Sequence, residues 1–520
     1  MKSYIIGLDN GTTGAKAKLY DLQGNVINES YQEYTCSYPK PGWVDQDIHV
    51  LMEANYSVLR DLIDSSNVNP DTIASLGLST QRGLHLYIDE DGKVLRNGMG
   101  ISWQDTRHPK QIEWMRNHIG EKRFYEITGL PIGAFWPIGK IRWVMENEPQ
   151  TIEKAHKIIS TQEYFLHELG ARDGWYVDWS NGSLFGLMDV KEFEWSKDLL
   201  QKTGISNKLM PSLVPSATKV GEVDKRCHER TGLPIGLPLC TGGGDQQCAG
   251  IGAGVVKPGL CEFTFGTAGN SVAFLDKPNF DPSMKITCSA HALPTPGWEA
   301  EGIQAAAGGS YRWFRDTIGY MAKYIEPFTQ MDPYSLLNNL AEKAPIGSNG
   351  LLFNPYLAGS MTPHYDSHAK GSFVGLALKH DTSSLARSVL EGVSFEAKDT
   401  INGYANMGLD LTEIRLAGGA TNSPLWCQIQ ADVYGRPTRI MREGECAVLG
   451  AAILGAVGAG VFDNVEEACE QMVHPMETFE PDPKAHEIYN ELHKIYQGVY
   501  SSLADSGVYE KLTAFQDKYA

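Results

Sequence analysis

Gly11, Thr12, Thr13 and Gly14 are matched half a chain later by Gly266, Thr267, Ala268 and Gly269. An apolar run leads into each quartet, Tyr4 to Leu8 and Cys261 to Phe265. An apolar pair followed by an aspartate, Asp21 or Asp276, closes each one. The local pattern is strand, turn, strand, and such a turn exposes backbone N–H groups and hydroxyls. Glycine lets the backbone come close to an anion, so the turn can cradle phosphate. A lone Gly-Thr turn is commonplace. Two of them with matched flanks point to related lobes facing one polyphosphate. Asp9 stands just before the first turn, where a carboxylate can support Mg²⁺ beside bound phosphates. Lys16 either reaches the same phosphates as a point charge or is a solvated strand residue.

The strongest candidate for acid–base work is Asp245, which follows Gly242, Gly243 and Gly244. Three glycines remove side-chain bulk and leave the carboxylate at a strand end, open to accept a hydroxyl proton. The competing reading is an N-cap for the following helix, a position that aspartate favours. Gln81 and Arg82 follow the strand Ile73 to Leu78, and Trp103 and Asp105 lie in a second polar loop. Donors, acceptors and a flat aromatic face are what a polyhydroxylated ligand needs. Surface loops are the plain alternative. Gly418 and Gly419 at a strand end, with Asn422 beyond, fit either a backbone surface for a flat ring or an ordinary strand-to-helix turn. His85, His291 and His364 lack metal-ligand spacing and read as structural.

These candidates must be positioned by more than one core, because 520 residues exceed what a single core organises. The formal charge of −18 argues against nucleic acid or an anionic membrane as partner. Nine scattered cysteines without a Cys-x-x-Cys pair indicate neither zinc nor disulfides, which points to the cytoplasm. The chain enters a strand at once, so no signal peptide is expected. The run Leu449 to Phe462 is too short to span a bilayer and reads as a closely packed helix. A helical period over Val50 to Ile63, a helix-rich insertion over 108–200 and a helical tail from Pro483 complete the outline. The segment Val255 to Gly259 divides the chain into domains 1–254 and 255–520.

Two further patterns carry a family resemblance. Phe135, Pro137, Lys140, Trp143, Glu146 and Asn147 fit one signature of the FGGY carbohydrate kinases. Gly371, Gly375, Leu376, Ala386, Leu390 and Glu391 fit a second, with Ser384 as a departure. The resemblance spans roughly residues 4 to 460. It implies an α/β chain of two actin-like, ribonuclease H-like domains with an ATPase cleft between them. It further implies that Asp245 is the catalytic base, that Asp9 and Asp245 serve Mg²⁺, and that Gln81, Arg82, Trp103, Asp105, Phe135, Asp245 and Gln246 meet the substrate. Gly11, Thr12, Thr13, Lys16, Gly266, Thr267, Gly309, Gly418, Gly419 and Asn422 would hold ATP. The implied activity is transfer of the ATP γ-phosphate to a terminal hydroxyl of an open-chain pentulose of the xylulose kind or a polyol. Arg82 followed by Gly83 departs from the Arg-Glu of glycerol kinases, which removes a carboxylate that would hold hydroxyls. Alternatives are a glycerol or erythritol kinase, a gluconate kinase, an autoinducer-2-type keto-polyol kinase, or an actin-like ATPase that phosphorylates no small molecule. A homodimer is compatible with this reading.

Overall fold

Strand periodicity broken by glycine turns builds two sheets of the same design. The computed structural model describes residues 2–519. In the first sheet, Tyr4–Asn10, Gly14–Asp21 and Val26–Glu33 form an antiparallel meander. Ile73–Thr80 joins the other side of Tyr4–Asn10 in parallel, and Pro238–Cys240 continues the parallel set. Ile73–Thr80 is buried along its whole length, as befits a parallel strand covered on both faces.

The second sheet repeats this plan. Leu260–Phe265 pairs antiparallel with Gly269–Leu275, and Trp298–Gln304 extends that side. Glu413–Ala417 and Thr438–Met441 add in parallel on the other. Each Gly-Thr turn therefore closes the first hairpin of its sheet.

The helical insertion over 108–200 has its own core, which includes Phe124, Ile138, Ile141 and Phe185. The tail helix Pro483–Asp505 buries Tyr489 and Tyr496 against the core of the second sheet. The small-residue helix Cys446–Gly458 crosses the chain halves. It lies on Tyr4–Asn10 and Ile73–Thr80 of the first sheet and against the helix Asp245–Gly252. Glycine makes this close approach possible: a Cβ on Gly77 would stand 1.8 Å from the Ala451 carbonyl oxygen. All nine cysteines are unpaired. No helix among the described residues is long and apolar enough to cross a membrane.

Candidate functional site

The two-residue strand Gly243–Gly244 pairs with Ser79 and Thr80, delivering the next residue to the sheet's edge. Asp245 is the first residue of the helix that follows, and Gly244 takes the N-cap position. The aspartate thus does not occupy the cap position, although its Oδ1 accepts from the Gln246 N–H at 2.8 Å. A side chain on Gly244 would collide with Arg82, since a Cβ there would stand 2.5 Å from Arg82 Cδ. With glycine in place, Arg82 Nε reaches Asp245 Oδ1 at 2.9 Å. The remaining guanidinium nitrogens bind Glu301 end-on, at 2.5 and 2.7 Å. Burial raises the Asp245 carboxyl above the usual range, Arg82 pulls it back, and Glu301 pushes it up again.

Asp245, Arg82 and Glu301 open into a cavity of about 340 Å³. One wall is aromatic, with the Trp103 and Phe135 rings stacked 6.0 Å apart and Trp136 beside them. Gln246 lines it too, and its buried Oε1 has no hydrogen-bond partner in the protein. Thr12 from the first Gly-Thr turn and Ala268 from the second both reach this cavity, so the two turns face one cleft. Trp103 Nε1 donates to Thr12 Oγ1 at 2.9 Å, joining the aromatic wall to the first turn. The wall is pinned from behind by Lys140, which donates to the carbonyls of Trp103 and Phe135 at 3.1 Å each. Full burial lowers the Lys140 ammonium to about 7, with Asp105 opposing and Arg107 adding to the shift.

Several of the expected residues, Gly11 among them, line neither cavity. Asp105 is fully buried, accepting from Val44 N–H at 2.6 Å and from Arg107 Nε at 2.8 Å, so its carboxylate braces the loop. Gln81 is buried as well and donates to the Gly11 carbonyl at 3.1 Å, steadying the first turn from beneath. Lys16 sits opposite Asp9 in the ladder, but its ammonium binds Glu445 at 2.7 Å. Thr13 lines neither cavity; its carbonyl accepts from Tyr34 N–H. Asp9 also lines neither cavity, and its carboxylate accepts from the Ser79 hydroxyl at 2.5 Å. Burial pushes its carboxyl up to about 7, with Ser79 opposing and Asp245 adding to the rise.

A second cavity of about 430 Å³ lies beyond the second turn. Gly266, Thr267, Gly419 and Asn422 line it. Gly418 supports its edge at φ +79°, where a Cβ would also crowd the Phe265 carbonyl at 2.8 Å. Gly309 packs against the turn, its N–H donating to the Thr267 carbonyl at 3.0 Å. The helix Gly308–Asp316 therefore starts against the turn, and its N-terminal end carries the positive pole of the helix dipole. Arg312, one turn along, donates to Thr267 Oγ1 at 2.9 Å. Tyr311, Tyr334 and Trp426 form an aromatic wall suited to a flat ring. Nothing in the sequence marks Arg312, Tyr311 or Trp426, which sit on helices and resemble core residues. Nor does it mark Glu301, whose partner Arg82 lies far away in the chain.

Known proteins resemble both halves of the chain. The model of the FGGY family of carbohydrate kinases, N-terminal domain, matches residues 4–252. The corresponding C-terminal domain model matches residues 264–459. A xylulose kinase of Staphylococcus epidermidis is 30% identical over 504 residues, covering 96% of this chain and 97% of its own. The ligand-bound crystal structure of a xylulose kinase from Lactobacillus acidophilus superposes with a TM-score of 0.89 at 26% identity, covering 98% of this chain and 99% of its own. A gluconate kinase from the same organism gives 0.88 at 25% identity, with the same coverage of each chain. With both halves matched in order and the cleft lying between them, the chain belongs to the FGGY family of carbohydrate kinases.

Proposed function

We propose that this kinase transfers the γ-phosphoryl group of ATP to a terminal hydroxyl of a neutral open-chain ketose, a pentulose of the xylulose kind. Asp245 at the floor of the 340 Å³ cavity, beside the two Gly-Thr turns, is the observation that carries the reading. Asp245 accepts the proton of the attacking hydroxyl, and the turns hold the polyphosphate in line with it. Gln246 and Asn270 offer amide groups to the substrate hydroxyls, while Trp103 and Phe135 cover its C–H face. The second cavity takes the nucleoside, with its phosphates directed toward Thr267 and Arg312. Closure of the cleft excludes water and so limits ATP hydrolysis.

The residues present fit Mg²⁺. The described residues contain no group of three or more ligating side chains. Mg²⁺ brought by a nucleotide keeps several waters and needs only one or two carboxylates. Asp9, buried beside Asp245, is the carboxylate that would hold it, and the ion would neutralise charge on the phosphates. Nine unpaired cysteines suit a reducing cytoplasm.

Coupled ADP release from MgATP across ketoses, polyols and sugar acids tests the reading. Strong stimulation is expected from a neutral ketose of four or five carbons. Stimulation by no neutral compound would overturn it.

Lys140 yields a second expectation. Lys140→Met removes both anchors of the aromatic wall, each worth about 1 kcal/mol or more. The KM for the sugar should rise about tenfold while the KM for ATP stays near its original value. Lys140 holds its proton less tightly in the folded chain, at about 7, than at its ordinary 10.5. Between those values the unfolded chain binds more protons, so this group makes stability rise with pH. Its slope reaches about 1.4 kcal/mol per pH unit. Unfolding measured from pH 7 to 9 should therefore show a flatter pH dependence in Lys140→Met. An unchanged slope with unchanged KM would show that the anchors contribute little.

A further inference from the structure

Arg82 is the one cation among the described residues lining the acceptor cavity, and its guanidinium is already fully engaged. The side-on nitrogen Nε holds Asp245. The end-on fork is the arrangement that grips a carboxylate with two parallel bonds. That fork is occupied by Glu301, which is 3% exposed. One positive charge therefore faces two negative ones, leaving an excess of negative charge on the lining. Behind Glu301 lies Glu299, fully buried and held by Gln247 Nε2 at 2.5 Å and by the Ser289 hydroxyl at 2.9 Å. Burial and the neighbouring Glu301 raise the Glu299 carboxyl, which favours its neutral form beside the charged Arg82–Glu301 pair.

We infer that Glu301 sets the charge of the substrate: by filling the end-on fork of Arg82 it makes the cavity select neutral polyols against sugar acids. The inference rests on the reading of this cavity as the acceptor site. A sugar acid brings its own carboxylate and has one place to put it, the fork of Arg82. Entering there displaces Glu301 and leaves a buried carboxylate unpaired, which is costly. A neutral polyol leaves the pair intact and uses the remaining lone pairs of Glu301 as acceptors for its hydroxyls. Glu301 thus supplies, from the opposite wall of the cleft, the acceptor that Gly83 lacks next to Arg82.

Glu301→Gln keeps the shape, but one carboxylate oxygen becomes an NH₂ group that cannot accept from Arg82, and the fork is released. Calorimetric binding of D-xylulose and of the D-xylonate and D-gluconate anions reads the effect. In the wild-type protein the acids are expected to bind far more weakly than the ketose. In Glu301→Gln the ratio of acid to ketose affinity should rise by about tenfold to a hundredfold, the worth of a charge-assisted pair. Glu301→Asp retains the charge and should leave the ratio near the wild-type value, and Arg82→Met combined with Glu301→Gln should abolish the gain. A loss of packing alone would weaken both ligand classes together and would not move the ratio. Should Glu301→Gln not fold, as judged by its thermal transition, Glu301→Ser provides the same measurement. A folded variant with an unchanged ratio, or wild-type protein that binds the acids as tightly as the ketose, overturns the inference. ADP release by the wild-type enzyme with neutral ketoses reports separately on the proposed function, so the two can fail independently.

Discussion

Asp245→Asn is expected to lower kcat by about 10²- to 10⁴-fold, the span of a positioned general base. ATP binding and folding should be retained. The amide has the shape of the carboxylate but cannot take the hydroxyl proton. Arg82 keeps its two bonds to Glu301, so the local frame persists. Burial raises the Asp245 carboxyl, Arg82 opposes this, and Glu301 adds to it, so the folded-state value lies above the ordinary one. Two consequences follow for pH. Activity of the wild-type enzyme should rise with pH along an acid limb placed above the usual carboxylate range, and that limb should vanish from the residual activity of Asp245→Asn. Stability has the opposite sign. Between the ordinary and raised values the folded chain holds a proton that the unfolded chain has released, so the aspartate costs stability as pH rises through that window. Asp245→Asn should therefore melt at or above the wild-type temperature at neutral pH. Single-turnover phosphoryl transfer and a thermal scan check both, and wild-type kcat in the variant would remove Asp245 from the role of base.

Asp245 stands out in the sequence because its setting is local: three glycines, a strand end and a helix start lie within a few residues. The two Gly-Thr turns were legible for the same reason, and their repetition foretold two sheets of one design. The contacts around Arg82 were not legible. Glu301 stands in Trp298–Gln304, a strand whose alternation reads as ordinary, and only the closure of the two halves brings it to the guanidinium. Asp105 is the opposite case. Its polar loop resembles a substrate loop, yet Arg107 lies two residues on and claims the carboxylate. Gln81 is similar, since its amide turns back to the Gly11 carbonyl. Short-range partners compete with a ligand for polar groups, and sequence spacing does not show which one wins. The small-residue helix Cys446–Gly458 was visible as a closely packed element. Its partners, the first sheet and the helix that begins with Asp245, became apparent only in three dimensions.

That helix pairing leads to the second large effect. Gly450→Ala is expected to reduce kcat by about 10²-fold, the cost of misplacing a reacting group by about 1 Å. It should also destabilise the protein by about 1–3 kcal/mol or more. The helices Asp245–Gly252 and Cys446–Gly458 meet backbone to backbone. A Cβ on Gly450 would lie 1.9 Å from the Cys248 carbonyl oxygen, and a Cβ on Gly252 would lie 1.9 Å from that of Cys446. No rotamer relieves such a contact, because both partners are main chain. The helices must move apart by about 1 Å or more to reach ordinary van der Waals separation. The helix bearing Cys248 begins with Asp245, so the displacement is transmitted to the Asp245 carboxylate and to its bond with Arg82. Gly498 lies in the helix Pro483–Asp505, and a Cβ there meets no atom within 4 Å. Gly498→Ala should accordingly keep full activity and gain up to about 1 kcal/mol from helix propensity. The same chemical change is thus expected to act in opposite directions at two helical glycines. Parallel kcat and melting measurements on the pair isolate the helix crossing as the cause. Full activity in Gly450→Ala would show that Asp245 is positioned independently of that contact.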